Sequence, residues 1–374
     1  MDLEERYAFL AEYYDPNACL IRKYQLLFYG KDETCEMYDI KNKKLFLRRS
    51  KVPGLRMKDL FLGSIVSVHS RQLTIKDFGD EFTRRKLRAK TEKTFAMIKP
   101  DCIGKMGEIL EVICQEDFII CSAKMLRLTR KQAEQFYIEH IDKPFFGNLM
   151  NLITEGPMVA LEMKGEDAVR GWRRLLGPTD SAQARRDAPY SIRAKFGANV
   201  TRNACHGSDS LESANREIDF FFGSTKYPNT AKLQGTTLGL IKPHAVLSGI
   251  AGPIITDILS SGLNITALQL HYVDRANAAE FYEVYKGVVA EYTDMVTQLS
   301  SGPCIALEIH GDQDAHGKFR KLCGPADPEL AKYLRPDTLR AKYGKDKIEN
   351  ALHCTDLADD CILEVEYFFK ILDS

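Results

Sequence analysis

Two histidines of this chain lie in similar sequence contexts near the ends of two long segments. His206 belongs to the stretch Asn-Ala-Cys-His-Gly-Ser-Asp-Ser (203–210), and His353 belongs to Asn-Ala-Leu-His-Cys-Thr-Asp (350–356), 147 residues later. A neutral imidazole can attack phosphorus and divide one difficult displacement into two easier ones. The recurrence favours phosphoryl transfer over the alternative of an isolated surface histidine beside a turn.

The sequence after His206 predicts a helix that would support this chemistry. Asp209 and Glu212, three residues apart, match a capping box, so we expect a helix to begin there. Its positive end would favour a neutral ring and stabilise the phosphate that the ring receives. Glu217, further along, is predicted to accept a hydrogen bond from the second ring nitrogen and so to select which nitrogen attacks.

Side chains must supply positive charge if the chain handles nucleoside phosphates, because no Gly-x-x-x-x-Gly-Lys-Ser/Thr loop occurs. Lys99, Arg173 and Arg193 are the candidates in the first segment; an arginine fork binds phosphate through two hydrogen bonds. A lysine at a strand end can also simply reach solvent. The recurrence of Lys99 as Lys242, in the same Ile-Lys-Pro setting, favours a function.

The stretch Lys-Pro-Phe-Phe (143–146) places two aromatic residues after a predicted helix. Such a pair commonly packs in a core, but an aromatic ring can also stack on a nucleobase. The sequence leaves both interpretations open.

The elements that must position these residues form a duplicated unit at residues 92–224 and 235–371. Thr94–Asp101 recurs as Thr237–His244, and Trp172–Pro178 recurs as Phe319–Pro325. A repeat this long indicates a duplicated domain rather than a solenoid. The polar segment Gly223–Gly235 is the predicted linker.

Within each copy the pattern predicts the order strand, helix, strand, helix, strand, helices and a short final strand. This order suits an α+β fold, with helices on a mostly antiparallel, ferredoxin-like sheet. In the first copy we predict these elements: strands Thr94–Ile98, Ile119–Leu128 and Met158–Met163, and helices Gly107–Asp117, from Thr129 onwards, and Asp167–Leu176.

Residues 1–90 are predicted to form a small all-β domain that ends at the charged segment Arg84–Lys93. Its predicted strands are Tyr24–Tyr29, Cys35–Ile40, Lys44–Arg48, Ser64–Val68 and Arg71–Phe78, with a hairpin around Gly30–Thr34. This domain holds 19 Lys/Arg and 13 Asp/Glu, although the whole chain has no net charge. The excess suggests an acidic partner, and an ordinary solvated surface with loop lysines is the alternative.

Length and composition fit a soluble globular protein of two or three domains: 374 residues, 44% hydrophobic and 28% charged. The ten cysteines include no Cys-x-x-Cys pair, so we expect reduced, mostly buried thiols in a cytosolic protein. Neither a secretory leader nor a membrane-spanning run is expected. Nucleic-acid binding is not expected, because basic and aromatic residues do not interleave along any groove-like stretch.

These residues resemble the nucleoside diphosphate kinase family over about three quarters of the chain. Phe95–Asp101 is similar to the first-strand motif of that family, and residues 203–210 are similar to its active-site motif. The resemblance implies exchange of the terminal phosphate between nucleoside tri- and diphosphates by a ping-pong route through phosphohistidine. Magnesium would arrive with the nucleotide, without protein metal ligands.

The resemblance also implies roles for residues of the first copy. His206 would take the phosphate and Glu217 would orient it. The remaining roles are Tyr137 and Ser208 beside the histidine, Lys99 and Asn203 on the ribose, Arg173, Thr179 and Arg193 on the phosphates, and Phe145 on the base.

The second copy departs from this pattern. It retains His353, Lys242, Arg320, Arg340, Asn350 and Glu364. Ala326 stands where the family has threonine, Cys354 replaces the glycine, Thr355 replaces the serine, and the Lys-Pro-Phe-Phe stretch has no counterpart. We therefore expect weak nucleotide binding and little turnover here, and expect Cys354 to restrict the backbone.

The layout resembles tandem members of the family that carry an amino-terminal doublet-microtubule (DM-ten) domain. Arg22–Tyr29, Arg71–Phe78 and Asp80–Arg84 are similar to strands of that domain. The resemblance implies a small β-sandwich or barrel, and a cytoplasmic protein of the cytoskeleton at the axoneme of cilia or flagella or at the centrosome. Tubulin or microtubule-associated proteins would be its partners. The alternative to an enzyme is a mainly structural microtubule-associated protein with little turnover.

Single-domain members of the family assemble as dimers and larger rings. Two copies in one chain could instead pair within the chain and leave the protein monomeric. The sequence leaves the oligomeric state open.

Overall fold

The structure is a computed structural model that describes residues 5–16, 18–88 and 91–373. The described strands are β1 Arg6–Asp15, β2 Leu20–Tyr29, β3 Thr34–Asp39, β4 Lys44–Lys51, β5 Ile65–Val68, β6 Arg71–Phe78, β7 Thr91–Ile98, β8 Ile119–Leu126, β9 Met158–Glu166, β10 Cys205–Gly207, β11 Thr236–Ile241, β12 Asn264–Tyr272, β13 Pro303–His310 and β14 Leu352–Cys354.

The described α-helices are α1 Glu81–Arg88, α2 Met106–Gln115, α3 Arg130–Phe136, α4 Phe146–Glu155, α5 Ala168–Leu176, α6 Ser181–Asp187, α7 Ile192–Phe196, α8 Leu211–Phe222, α9 Pro243–Leu247, α10 Ala251–Ser260, α11 Arg275–Phe281, α12 Tyr292–Leu299, α13 Ala315–Cys323, α14 Pro328–Leu334, α15 Leu339–Tyr343 and α16 Cys361–Glu366. Short 3-10 segments occur at Met57–Asp59, Pro100–Lys105, Ile138–His140, Glu283–Tyr285 and Ala358–Asp360, and a π-helical turn at Tyr367–Ile371. Among the described residues, no helix is long and apolar enough to cross a membrane.

The chain divides into two compact units: the described part of residues 1–91 together with 272–304, and residues 92–271 together with the described part of 305–374. The first unit contains a six-stranded sheet in the order β4-β3-β2-β1-β6-β5. Each neighbouring pair is antiparallel. The five strands predicted in this region are present, and β1, which was not predicted, lies in the middle of the sheet.

The helices α11 and α12 of the second repeat lie in this first unit. Nε2 of Gln72 donates to the carbonyl of Val273 at 2.6 Å, and Oγ of Ser67 donates to the carbonyl of Ser300 at 3.0 Å. Both donors come from the β5–β6 hairpin, so the amino-terminal sheet is hydrogen-bonded to both ends of the segment that carries α11 and α12. The charged segment predicted as a boundary is helical as far as Arg88, and the predicted domain end at residue 90 lies outside the described residues.

The second unit contains one eight-stranded sheet in the order β10-β7-β9-β8-β12-β13-β11-β14. Each copy contributes four strands in the same relative order, fourth-first-third-second, which is the ferredoxin-like arrangement predicted from the sequence. In the first copy, the predicted strands and helices are present within a few residues of the expected positions. Helix α3 begins after Thr129, as predicted. Its capping box, in which Oγ1 of Thr129 accepts from the backbone of Gln132, was not predicted.

The two copies pair inside this unit through their second strands and first long helices. Gln269 of β12 lies opposite Lys124 of β8 in an antiparallel bridge. Helices α2 and α10 approach closely because glycine occupies the contact: a Cβ at Gly107 would lie 2.4 Å from Oγ1 of Thr256. Asn229 of the predicted linker donates to the carbonyl of Phe369 at 2.7 Å. Asn229 also forms an isolated antiparallel bridge with Leu126 of β8, so the linker is bound to the sheet.

Candidate active site

A short edge strand holds His206 in a fixed orientation. β10 pairs antiparallel with β7, with His206 opposite Met97. Nε1 of Trp172, on α5, donates to the His206 carbonyl at 3.2 Å. The backbone of the histidine is therefore fixed from two sides, and its ring remains only partly exposed.

Glu217 determines which ring nitrogen is available for chemistry. Nε2 of His206 lies 3.0 Å from Oε1 of Glu217, on helix α8. Oγ of Ser208 donates to the other carboxylate oxygen at 2.6 Å and in turn accepts from the Phe95 amide at 3.3 Å. A carboxylate partner places the ring proton on Nε2. Nδ1 then carries the lone pair, and no described residue hydrogen-bonds to it.

The cap of helix α8 differs from the prediction. Ser210, not Asp209, is the N-cap: its Oγ accepts from the Ser213 amide at 3.1 Å, and Oγ of Ser213 bonds back to the Ser210 amide at 3.0 Å. The predicted box of Asp209 with Glu212 is therefore wrong, because the extended backbone needed at the cap occurs one residue later. Asp209 instead accepts from Oγ of Ser213 at 2.5 Å, which lowers the pKa of its carboxyl.

The His206 ring lies on the wall of a cavity of about 320 Å³. Nine of the ten predicted first-copy residues line it: Lys99, Tyr137, Phe145, Arg173, Thr179, Arg193, Asn203, His206 and Glu217. The tenth, Ser208, is buried behind Glu217 and acts on the histidine only through that carboxylate.

Four cations border this cavity. Arg216 is paired with Glu139, and the three predicted ones are each held differently. Nζ of Lys99 donates to Oδ1 of Asn203 at 2.7 Å, and burial together with Arg193 lowers its pKa to about 8. Arg193 donates to two backbone carbonyls, at 2.9 and 3.3 Å, and burial lowers its pKa. Arg173 makes no ion pair or hydrogen bond with any described residue. Its whole guanidinium can therefore meet an anion that enters the cavity.

Aromatic residues complete the walls. The Tyr137 ring meets the His206 ring edge-on, with centroids 5.6 Å apart, and burial raises the pKa of its hydroxyl. Phe145 is 43% exposed at the start of α4 and lines the cavity, whereas Phe146 packs against the hydrophobic core. The core interpretation thus applies to Phe146, and stacking of Phe145 on a base stays a prediction.

The sequence reasoning missed several cavity residues. His140 lies one turn beyond Tyr137. The cavity is also bordered by the ion pair between Glu139, in the 3-10 segment after α3, and Arg216, on α8. Val200 is exposed on the wall formed by the loop before β10. The spacing of Tyr137 and His140 was a usable signal, because residues three apart share one helical face.

The second copy reproduces the histidine pair. Nε2 of His353 lies 2.8 Å from Oε2 of Glu364, and Oγ1 of Thr355 donates to the same oxygen at 2.8 Å. Threonine therefore serves here in place of serine. Lys242 donates to the carbonyl of Ile348 at 3.0 Å and makes no hydrogen bond with Asn350, unlike the lysine of the first copy.

The arginines of the second copy are occupied by the protein itself. Nη1 of Arg320 donates to Oδ1 of Asp356 at 2.6 Å. Arg340 is buried and uses three nitrogens: Nε and Nη1 bond to backbone carbonyls, and Nη2 reaches Sγ of Cys354 at 3.5 Å. Hydrogen bonding from Cys323, with the nearby cations, lowers the pKa of Cys354 to about 5. A phosphate would have to displace these acceptors.

Glycine is required after the first histidine for steric reasons and not for its backbone conformation. A Cβ at Gly207 would lie 2.4 Å from the Trp172 ring. In the second copy phenylalanine, Phe319, replaces the tryptophan, and Cys354 is accommodated without a positive φ angle. The expectation that Cys354 restricts the backbone is therefore wrong. Both positions differ between the copies because the Trp172 ring fills the space that a side chain at position 207 would need.

Within residues 5–16, 18–88 and 91–373, no group of three His, Cys, Asp or Glu side chains could hold a metal ion. The carboxylates that border the cavity are already engaged. Glu217 holds His206, and Glu139 pairs with Arg216. Asp209 accepts from Oγ of Ser213.

The sequence profile of nucleoside diphosphate kinases matches residues 92–227 and again 235–373. This chain belongs to the nucleoside diphosphate kinase family. A second profile, for the amino-terminal PH domain of nucleoside diphosphate kinase 7, matches residues 1–89. The resemblance to tandem members of the family with an amino-terminal domain is thereby confirmed.

The chain is similar to two members of this family that differ in length. The chain is 52% identical over 373 residues to nucleoside diphosphate kinase homolog 7 of Rattus norvegicus, covering 99% of this chain and 94% of that protein. It is 47% identical over 133 residues to the nucleoside diphosphate kinase of Aquifex aeolicus, covering 35% of this chain and 94% of that one. A crystal structure of the Aquifex aeolicus enzyme matches 37% of this chain and 99% of its own, with 45% identity and a TM-score of 0.36. Nucleoside di- and triphosphates are thus the substrates that membership of this family implies.

Proposed function

We propose that this nucleoside diphosphate kinase moves the terminal phosphate of a nucleoside triphosphate onto a diphosphate through a phosphohistidine at His206. The observation that carries the proposal is the orientation of one ring. Glu217 engages Nε2 at 3.0 Å and leaves Nδ1 without a partner among the described residues, at the wall of a cavity that four cations border.

The reaction runs in two displacements. Nδ1 attacks the terminal phosphorus of the donor, a nitrogen–phosphorus bond forms, and the bond to the bridging oxygen breaks, so that the donor diphosphate leaves with the electron pair. The terminal oxygen of a second diphosphate then attacks the same phosphorus, the nitrogen–phosphorus bond breaks, and the histidine is neutral again. Covalent catalysis of this kind replaces one encounter of two polyanions with two separate steps.

The cavity cations would stabilise the charge that both steps share. Arg173 and Arg193 supply the forks that suit phosphate oxygens. Lys99, held by Oδ1 of Asn203, presents a donor that suits a ribose hydroxyl. Magnesium enters as part of the nucleotide substrate and neutralises phosphate charge that the arginines do not reach. Phe145, exposed at the cavity rim, offers a stacking surface for a base.

We assign most of the turnover to the first copy. The second copy has the histidine and its carboxylate, but Asp356 occupies Arg320. Nη2 of Arg340 also contacts Sγ of Cys354, where the first copy has a glycine. Ala326 also lacks the hydroxyl that Thr179 provides in the first copy.

Radiolabelled ATP tests the assignment. The wild-type chain should acquire acid-labile label that transfers to added GDP, and H353A, the matched control, should behave in the same way. H206A should lose both labelling and transfer. Near-full exchange by H206A, or loss of exchange in H353A alone, would contradict the proposal.

Microtubule association is the second part of the proposal, and a mainly structural protein with little turnover is the alternative to the enzyme. We propose that the amino-terminal domain places the enzyme on cytoskeletal microtubules, at the axoneme of cilia or flagella or at the centrosome, with tubulin or a microtubule-associated protein as its partner. The excess of basic residues in this domain supports the idea, because microtubule surfaces are acidic. Co-sedimentation of the full chain with microtubules tests it. A chain that remains in the supernatant at low salt would exclude this function.

A further inference from the structure

The outermost strand of the amino-terminal sheet carries an unusual concentration of positive charge. Residues 40–51 include six Lys or Arg and no Asp or Glu. β4, which occupies most of this segment, is a terminal strand of the six-stranded sheet. One edge of the domain is therefore strongly cationic.

Most of this charge is not neutralised within the domain. Arg49 pairs with Asp32 at 2.7 Å, and Lys51 lies 4.0 Å from Glu33. Lys41, Lys43, Lys44 and Arg48 form no ion pair with any described residue. The nearest preceding carboxylate, Asp39, is engaged by the amide and the side chain of Asn42, both at 2.8 Å.

Apolar side chains are exposed among these cations. Leu45 is 46% exposed and Phe46 is 38% exposed. The Phe46 ring packs at 4.9 Å from the buried ring of Tyr24, so it is held in place rather than free. Fixed apolar groups beside unpaired cations are typical of binding surfaces rather than of an ordinary solvated strand.

The strand is unsuited to pairing with another strand. Its register with β3 shifts twice, between Cys35 and Met37 and again between Met37 and Tyr38. Such bulges, together with edge lysines, hinder strand addition. A partner must therefore be recognised through side chains.

We propose that Lys41, Lys43, Lys44 and Arg48, with Leu45 and Phe46, form a docking surface for an acidic polypeptide that carries an exposed apolar side chain. We call these six residues the basic edge. The inference deepens the proposed microtubule association by naming the surface and the chemistry of the partner. It does not require that the partner be tubulin.

The test uses the full chain and two charge-matched variants. K43Q/K44Q/R48Q removes three cations of the basic edge, and K58Q/K76Q/K86Q removes three exposed lysines elsewhere in the same domain. The probe is a fluorescein-labelled peptide of glutamates with a central Phe-Leu pair, followed by fluorescence anisotropy at low salt. Thermal unfolding and phosphate exchange establish that each variant is folded.

The basic-edge variant should lose roughly tenfold in affinity, since each exposed charge pair contributes modestly, while the control should change less than about twofold. Affinity of the wild type should also fall as salt is raised. Equal losses in both variants, or none in the first, would overturn the proposal. Binding to vesicles rich in phosphatidylserine but not to the peptide would overturn it too.

The same variants in microtubule co-sedimentation separate this inference from the function on which it rests. If the basic-edge variant sediments like the wild type, microtubule association stands and the basic edge is not its surface. If the wild type binds the peptide but not microtubules, the association fails and the docking surface stands.

Discussion

Arg320 of the second copy is bound to Asp356, with Nη1 2.6 Å from Oδ1. Its counterpart Arg173 makes no such contact, because Asp209, the residue equivalent to Asp356, accepts from Ser213 instead. One arginine is thus available for a ligand and the other is neutralised, although both copies have the same two residue types. The two sites differ in the availability of this arginine, whereas each histidine is bound to a glutamate in the same way.

Removing each arginine should therefore have unequal effects. R173A should lower kcat/KM for nucleoside triphosphates by roughly 10- to 100-fold, the worth of one or two hydrogen bonds to a charged group. R320A, the matched control, should change it less than about twofold. Steady-state exchange between ATP and a second diphosphate measures both, and similar losses in the two variants would show that both sites turn over.

Glu217 should matter through the orientation of the ring. E217Q keeps the size of the side chain but weakens the bond to Nε2, and an amide that presents its NH2 group would favour the other tautomer. We expect kcat to fall roughly 10- to 100-fold with little change in KM. E364Q in the second copy is the control and should leave kcat unchanged; a large fall there would contradict the assignment of turnover to the first site.

Because the Trp172 ring fills the space beside Gly207, a smaller ring at position 172 should compensate for a larger side chain at position 207. G207C should destabilise the first copy by about 1–3 kcal/mol, because the new side chain would overlap the Trp172 ring. W172F/G207C, which copies the combination found at Phe319 and Cys354, should recover much of that loss. Urea unfolding of the two variants measures the recovery, and additive destabilisation in the double variant would argue against the steric explanation.

Nucleotide binding should weaken at alkaline pH through Lys99. Burial lowers its pKa to about 8, so the ammonium that can donate to the nucleotide is present below that value and is lost as pH rises through it. Affinity should fall by at most tenfold per pH unit above about 8, and K99R, which keeps its charge, should show a flatter profile. Calorimetric titration from pH 7 to 9.5 tests this, and an identical slope in K99R would assign the titration to another group.

Mild acid should destabilise the second copy through His244. Nε2 of this residue accepts from the Ala351 amide at 3.1 Å, where the first copy uses Asp101 and Ala204. Burial lowers the pKa of His244 from 6.5 to about 4. The unfolded chain therefore binds the proton first, and stability falls as pH drops from about 6.5 towards 4, by up to about 3 kcal/mol.

H244D, which restores the acceptor of the first copy, should reduce this loss. Burial also lowers the pKa of His271 to about 4. Some dependence of stability on pH should therefore remain in H244D. Urea midpoints at pH 7 and pH 5 measure both effects. A wild-type chain equally stable at the two pH values would contradict the role of His244 as an obligatory acceptor.

The duplicated fold and the first site could be predicted from the sequence more fully than the other features. The Ile-Lys-Pro and Asn-x-x-His patterns recur, and this recurrence predicted both copies. Nine of the residues predicted for the first site line one cavity. Strand β1 was missed because Arg6–Asp15 contains no β-branched residue and its apolar residues do not alternate with polar ones. Its stability comes from pairing with β2 and β6. The occupied arginines of the second copy were also beyond prediction, since only the three-dimensional position of Asp356 decides whether Arg320 is available.

The central claim is that Nδ1 of His206 carries the phosphate. The most direct test is NMR of the chain phosphorylated by ATP, in which couplings between phosphorus and the ring protons identify the bonded nitrogen. The structure predicts phosphate on Nδ1 of His206, with Nε2 still protonated beside Glu217. Phosphate on Nε2, or on a residue other than His206, would contradict it.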